Sequence, residues 1–463
     1  MTARLVFAAP QSGSGKTLLT AAVITVLRRQ GLVVRPFKCG PDYIDPGYHT
    51  LAAGHQCRNL DTWLCTPDQM RTLFARTSAD ADIAVIEGVM GLFDGYGALE
   101  DAGSTAHVAR LLDAPVVLVI DARGMARSAA ALVAGFQRFD PNVHIGGVLL
   151  NRVGSARHAE LCATAIQHHT GLPCFGYLPR NAEFTLPERH LGLITTLEDR
   201  SLAAVIERAA DALYQTCDTD ALLALARSAP PIRTPPPSSL TAPRTSERVV
   251  IAVAQDAAFS FAYPEMFELL TAAGAAIVPF SPLTESTLPP HTAGIILSGG
   301  FPELYAEQLS GNTALHAALQ GAHVANVPIY AECGGLMYLT SYLEDQQGRR
   351  WPMVGLLPGQ SVMADRVILG YRTVQAVHGG PLLPASATIR GHEFHYSRWE
   401  GQAGALPPAY RVLPRASEEA YVEGVQLGNL VASYIHLHWL ARPEMAQRFV
   451  AACRRQPTGA GNG

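Results

Sequence analysis

The chain has 463 residues, of which 48% are hydrophobic and 16% charged, and its net charge is −4. That length exceeds one ordinary core, so two or three domains are expected, and the balance is that of a soluble globular enzyme. No basic field points to nucleic acid or a membrane surface, no apolar run reaches about 18 residues, and Met1 leads into a strand pattern without a signal peptide. The eight cysteines are scattered, with no C-x-x-C pair and no metal-ligand spacing, and read as reduced cytosolic thiols. The expected setting is the cytoplasm, with small molecules as partners and neither nucleic acid nor membrane; a homodimer is left open.

In chain order, apolar runs at 5–9, 33–37, 83–86, 116–120, 145–150 and 174–177 alternate with helical stretches. The runs are continuous rather than alternating. They therefore predict strands buried on both faces, an α/β doubly wound parallel sheet. After the first run comes Ser12-Gly13-Ser14-Gly15-Lys16-Thr17 and then a helix. Successive backbone N–H groups and the helix start can cradle phosphates, Lys16 can reach the β- and γ-phosphates, and the Thr17 hydroxyl suits Mg²⁺. A strict P-loop has glycine where Pro10 stands, so this is a variant. Behind the second run, Lys38 can neutralise phosphate, and Asp42 and Asp45 can hold metal or substrate, or simply make a Pro-Asp turn. Glu87 ends the third run, where a carboxylate suits Mg²⁺. Asn151 and Arg152 follow a later run and are placed to bracket an adenine.

Prolines 230, 231, 235, 236, 237 and 243 lie in a Ser/Thr-rich stretch, read as a linker over 216–247. The domains are thus expected at 1–215 and 248–455, with 456–463 frayed. Beyond the linker, further strands are expected at 249–254, 276–280, 294–297 and 329–331. The last run ends at Cys333, followed by Gly334, Gly335 and a helical Leu336-Met337-Tyr338-Leu339. Strand, thiol, two glycines and helix make a nucleophile elbow with cysteine at its apex. His436, about a hundred residues on, is the base such a thiol needs.

The chain resembles the glutamine-dependent amidotransferases of cobalamin biosynthesis, in their a,c-diamide synthase branch. The likeness rests on the phosphate loop, on Lys38-Cys39-Gly40-Pro41-Asp42-Tyr43-Ile44-Asp45-Pro46 and on Glu87-Gly88-Val89-Met90-Gly91-Leu92-Phe93-Asp94-Gly95. In the second half it rests on Ser298-Gly299-Gly300-Phe301-Pro302-Glu303, Ala331-Glu332-Cys333-Gly334-Gly335, Gly391-His392-Glu393-Phe394-His395-Tyr396-Ser397 and Ala432-Ser433-Tyr434-Ile435-His436-Leu437-His438. The first half is similar to dethiobiotin synthetase and the second to a class I glutamine amidotransferase. The resemblance implies ATP- and Mg²⁺-dependent amidation of the a and c carboxylates of cobyrinic acid through acyl phosphates. It places Thr17, Asp42 and Glu87 on the metal and Asp45 at the intermediate. Ammonia would come from glutamine through a Cys333 thioester, with His436 as base and then acid, and Gly300 and Gly334 N–H groups as oxyanion hole. Many class I members carry Glu two residues after the histidine. Here that position is His438, so either another group orients His436 or the pair suffices; His438 in that place is expected to orient the base or line the site. The same reaction on hydrogenobyrinic acid or nickel-sirohydrochlorin uses the same motifs, whereas Gly-Pro-Asp-Tyr-Ile-Asp-Pro speaks against cobyric acid synthase. A P-loop switch ATPase with a degenerate second lobe is the non-enzyme alternative. Such proteins carry an additional early lysine where Pro10, Gln11 and Ser12 stand, and would not need Cys333 and His436.

Overall fold

A computed structural model describes residues 2–189, 192–199, 201–232, 248–401, 406–415 and 419–455. The chain divides into two compact units, 1–237 and 238–463.

In the first unit the strands are β1 (Ala3–Ala8), β2 (Val34–Cys39), β3 (Arg58–Leu60), β4 (Ile83–Glu87), β5 (Val116–Asp121), β6 (Ile145–Val153) and β7 (Cys174–Pro179). Among the described residues these form one sheet of order β3-β2-β4-β1-β5-β6-β7, every pair parallel. The continuous apolar runs are the reason: β1 and β4 are buried along their whole length, as a central strand covered on both faces must be. Helix α1 (Lys16–Arg29) starts directly behind β1, and α2 (Asp45–Ala53) behind β2. A two-residue hairpin, β8 (Glu188–Arg189) with β9 (Gly192–Leu193), lies beyond β7.

The linker expected from 216 begins later. Thr219–Arg227 is a helix, capped by the Asp218 carboxylate accepting from Ala221 N–H at 2.9 Å, with Leu222, Leu223 and Ala226 buried. Residues 219–227 carry an apolar face and no proline, so helix propensity prevails until Pro230. The rest of the expected linker, 233–247, and the C-terminal 456–463 lie outside the described residues.

The second unit has two sheets. The first joins β10 (Val249–Ala254), β11 (Ala275–Phe280), β12 (Thr292–Leu297), β13 (Ile329–Glu332), β20 (Val425–Leu427) and β21 (Leu430–Ser433) in the order β11-β10-β12-β13-β21-β20, parallel except for β20. The second contains β14 (Thr340–Glu344), β15 (Arg350–Pro352), β16 (Leu357–Ala376), β17 (Thr388–Glu400), β18 (Tyr410–Val412), β19 (Tyr421–Glu423) and β22 (His436–Leu437). Its spine is the long antiparallel pair β16–β17, with β22 beside β17. This sheet has no counterpart in the sequence reading. Much of β16 is partly or fully exposed, so it carries no unbroken apolar run. β21 ends at Ser433, and the chain crosses within Tyr434-Ile435 into β22 of the other sheet.

Apart from the phosphate-loop cluster, a guanidinium is buried in the first core. Arg4 in β1 is 1% exposed and donates to the carbonyls of Leu112 (2.6 Å), Thr2 (3.3 Å), Asp113 (3.3 Å) and Pro230 (2.5 Å). It ends the helix Thr105–Leu111 and ties down the segment leaving the unit. Arg4→Ala leaves those carbonyls unpaired and a cavity, and should cost roughly 2–4 kcal/mol of the first unit's stability. Hydrogen exchange of the first unit's core amides in the full chain, wild type against variant, measures this.

Candidate active sites

The phosphate loop is built by β1 ending against α1. Gly13 and Gly15 have φ of +75° and +79°, and a Cβ on Gly15 would stand 2.2 Å from Asn151 Nδ2, so only glycine fits there. Ser14 Oγ donates to Gln11 O at 2.9 Å. Asn151 Nδ2 donates to Ser14 O (2.8 Å), and Arg152 Nη1 to Gly13 O (2.7 Å) and to Asp121 Oδ2 (2.7 Å). Asn151 and Arg152, expected to bracket a base, brace the loop from behind. Their side chains are committed to its carbonyls because β6 ends directly beside it. Ser12 is exposed at the loop's tip.

Lys16 is buried and donates to Gln11 O (3.2 Å) and Met90 O (2.6 Å). Burial lowers its pKa to about 8, against the pull of Glu87 and together with the push of Lys38. Thr17 Oγ1 donates to Glu87 Oε1 at 2.9 Å and lies 3.3 Å from Asp45 Oδ2. Lys38 Nζ donates to Gly88 O and faces three carboxylates: Asp45 at 3.2 Å, Asp42 at 3.6 Å and Glu87 at 4.0 Å. Burial opposes its charge, but these acids outweigh burial and hold the ammonium above its ordinary range. Glu87 is fully buried and also pairs with His49; burial pushes it up, and Lys38 and His49 overcome that and lower it. Asp42 spends Oδ1 on the N–H groups of Ile44 (2.8 Å) and Asp45 (3.0 Å), shaping the start of α2. The oxygens that converge are those of Thr17, Asp45 and Glu87, with Asp42 outside the trio. His49 was missed, although it closes the same stretch of sequence that carries Asp42 and Asp45.

In the second unit Cys333 follows β13 with φ 45° and ψ −100°, a strained backbone for a residue with a side chain, and the helix Gly334–Leu339 starts behind it. β13 and β21 are parallel neighbours with Glu332 opposite Ser433, and Cys333 N–H donates to Ser433 O at 2.8 Å. That register brings the start of β22 to the thiol. The His436 ring hydrogen-bonds to Cys333, and its Nδ1 lies 3.4 Å from Glu332 Oε2. Burial lowers the basicity of His436, but Cys333 and Glu332 more than compensate and raise it to about 10. Gly299 lets the ring approach: a Cβ there would stand 2.7 Å from its Cε1. A Cβ on Gly334 would lie 3.0 Å from Gly300 N, so the two glycines expected to form the oxyanion hole are in contact beside the thiol.

His438 does not orient His436. It is fully buried, stacked on Tyr263 at 4.3 Å, with Glu265 Oε2 at 3.8 Å, and burial lowers it to about 3. The residues beside the base that the sequence did not mark are Glu332 and His392. His392 pairs with His436 across β17–β22 and stacks on its ring at 5.0 Å. Among the described residues no group of three or more His, Cys, Asp or Glu could hold a metal ion by itself.

The chain is 45% identical over 454 residues to a protein of Dehalococcoides mccartyi named cobyrinate a,c-diamide synthase, covering 96% of this chain and 97% of that one. The chain belongs to the cobyrinate a,c-diamide synthase family. A Salmonella typhimurium family member of the same name is 43% identical over 97% of this chain and 98% of its own. A Streptomyces coelicolor relative, named hydrogenobyrinate a,c-diamide synthase, is 44% identical over 97% of each chain. Within this family frame, residues 5–194 match the CobQ/CobB/MinD/ParA nucleotide binding domain and residues 250–444 the CobB/CobQ-like glutamine amidotransferase domain. The phosphate loop lies in the first and the Cys333–His436 pair in the second.

Lys16 gives a pH signature. Bound phosphates favour its charged form, so above pH about 8 nucleotide binding must take up a proton. Affinity should fall up to roughly tenfold per pH unit there. Calorimetry of ATP binding at pH 7 and 9, in buffers of different ionisation enthalpy, reads both the affinity and the proton uptake.

Proposed function

We propose that the chain is a carbon–nitrogen ligase that amidates the a and c carboxylates of cobyrinic acid in cobalamin biosynthesis, using ATP and glutamine. The observation that carries this is one chain holding both a braced phosphate loop and a Cys–His pair in contact, aligned end to end with relatives of that name. A carboxylate at neutral pH does not react with ammonia, because oxide is a poor leaving group. Transfer of the γ-phosphoryl group of ATP to a carboxylate oxygen releases ADP and leaves an acyl phosphate. Ammonia then attacks the acyl carbon, the C–O bond to phosphate breaks, and phosphate departs. Lys16 and the loop N–H groups position the triphosphate, and Lys38 keeps Asp45 and Glu87 together. The hard oxygens of Thr17, Asp45 and Glu87 fit Mg²⁺, which would neutralise phosphate charge there.

At the second site the Cys333 sulfur attacks the glutamine carboxamide carbon. The oxyanion forms against Gly300 and Gly334 N–H, and His436 hands its proton to the departing ammonia. Water, deprotonated by His436, then cleaves the thioester to glutamate and regenerates Cys333. Both co-substrates are cytoplasmic metabolites, which supports that compartment. A second reading, the same reaction on cobalt-free hydrogenobyrinic acid, is favoured by the Streptomyces relative's name. Parallel assays with each macrocycle, scoring ADP and diamide formation, decide between them.

Cys333→Ala should lose glutamine-dependent synthesis and keep synthesis with ammonium salts. Loss of both in a folded variant overturns the two-site reading. Lys16→Ala should lose synthesis with either nitrogen source, because no acyl phosphate forms. In glutamate-release assays His436→Ala should slow turnover by about 10²–10⁴-fold. His438→Ala should slow it less and lower thermal stability more, since its ring fills a sealed part of the core.

A further inference from the structure

Glu332, the residue immediately before the nucleophile, is buried at 4% exposure. A carboxylate in such a place needs partners, and it has three. Oε1 accepts from Leu437 N–H at 3.0 Å and from the Tyr330 hydroxyl, while Oε2 faces Nδ1 of His436 at 3.4 Å. Both contacts on Oε1 are with groups that can only be donors there, so Oε1 is pinned and Oε2 is aimed at the imidazole. The position two residues after His436 offers no substitute, because His438 is stacked on Tyr263 and lies beside Glu265. His392 stacks on the face of His436 and limits ring rotation, but it brings no negative charge.

We propose that Glu332 is the positioning acid of the glutaminase site, fixing the His436 ring through Nδ1 so that its other nitrogen serves Cys333. The third member of the reactive set thus comes from the nucleophile's own strand, β13, rather than from the strand of the base. Glu332 touches neither substrate nor the reacting sulfur; it acts by choosing the tautomer and by stabilising the imidazolium. The raised basicity of His436 agrees with this. The proposal rests on the glutaminase reading of Cys333 and His436.

The informative variant is Glu332→Gln. Its carboxamide oxygen can still accept from Tyr330 and Leu437, so the strand contacts survive. Its NH₂ must then face Nδ1 as a donor, which forces the proton onto the nitrogen that should serve the thiol, a wrong-tautomer state of the kind that cripples hydrolytic triads. In the full chain, kcat for glutamate release should fall roughly 10²–10⁴-fold with KM for glutamine changed less than about threefold. The basic limb of the pH–rate profile should move to lower pH, since removing the carboxylate makes the imidazolium easier to deprotonate. Ammonium-dependent synthesis and the melting temperature should stay near wild type. Unchanged kcat and pH profile, a rise in KM alone, or a kcat loss with an unmoved basic limb would each overturn the positioning role. If the wild-type chain itself released no glutamate from glutamine, the reading of the whole site would fail, and this inference with it; wild-type release with an indifferent Glu332→Gln sinks the inference alone.

Discussion

A strand inside a parallel sheet commits its backbone polar groups to two neighbours and leaves groups free only at its ends. All strands of such a sheet finish on one edge, so reactive side chains gather there. In the nucleotide domain the phosphate loop follows β1, Gly40 follows β2, and Glu87 and Asp121 close β4 and β5. In the amidotransferase domain Ser298 follows β12, Cys333 follows β13 and Tyr434 follows β21. Each site therefore inherits its geometry from strand register rather than from its loops. Cys333 meets His436 because Glu332 lies opposite Ser433, and Thr17 meets Glu87 because α1 starts where β1 stops beside β4.

The two edges manage charge in opposite ways. Around Lys38, one buried ammonium is matched by Asp42, Asp45 and Glu87, with His49 also on Glu87. Such a cluster is costly to bury and becomes tolerable only when every member has a partner. It leaves an excess of carboxylate beside the loop, which suits a site where a cation and a polyanion meet. Beside Cys333, Glu332 is shared by a tyrosine, a backbone N–H and an imidazole. That arrangement orients a proton carrier without bringing a second net charge to the thiol.

Both domains, the phosphate loop and the elbow were legible in the sequence because each is written locally, as continuous apolar runs interrupted by glycine. Lys16, Thr17 and Cys333 could be read because their neighbours in sequence are also their neighbours in space. What escaped was set by pairing over long separations. Asn151 was read only as a base contact, and the adjacency of β6 to the loop adds a bracing role that no local pattern announces. His438 was expected to orient His436 or line the site because it stands where many class I members carry Glu; the chain that changes sheet after Ser433 carries it to Tyr263 and Glu265 instead. Glu332 was quoted in its motif without a role, because nothing in sequence says that a residue 104 places before His436 will face it. The β16–β17 sheet was unread because exposed antiparallel strands carry weaker patterning than buried parallel ones.

The crossing between β21 and β22 has a consequence for how the domain comes to life. Cys333 is anchored at the end of one sheet, and His436 lies in the other, past the crossing at Tyr434 and Ile435. The nucleophile and its proton carrier are therefore strangers until both sheets have closed. An emerging or half-folded chain presents a thiol with no base beside it, so glutamine cleavage is withheld until the domain is whole.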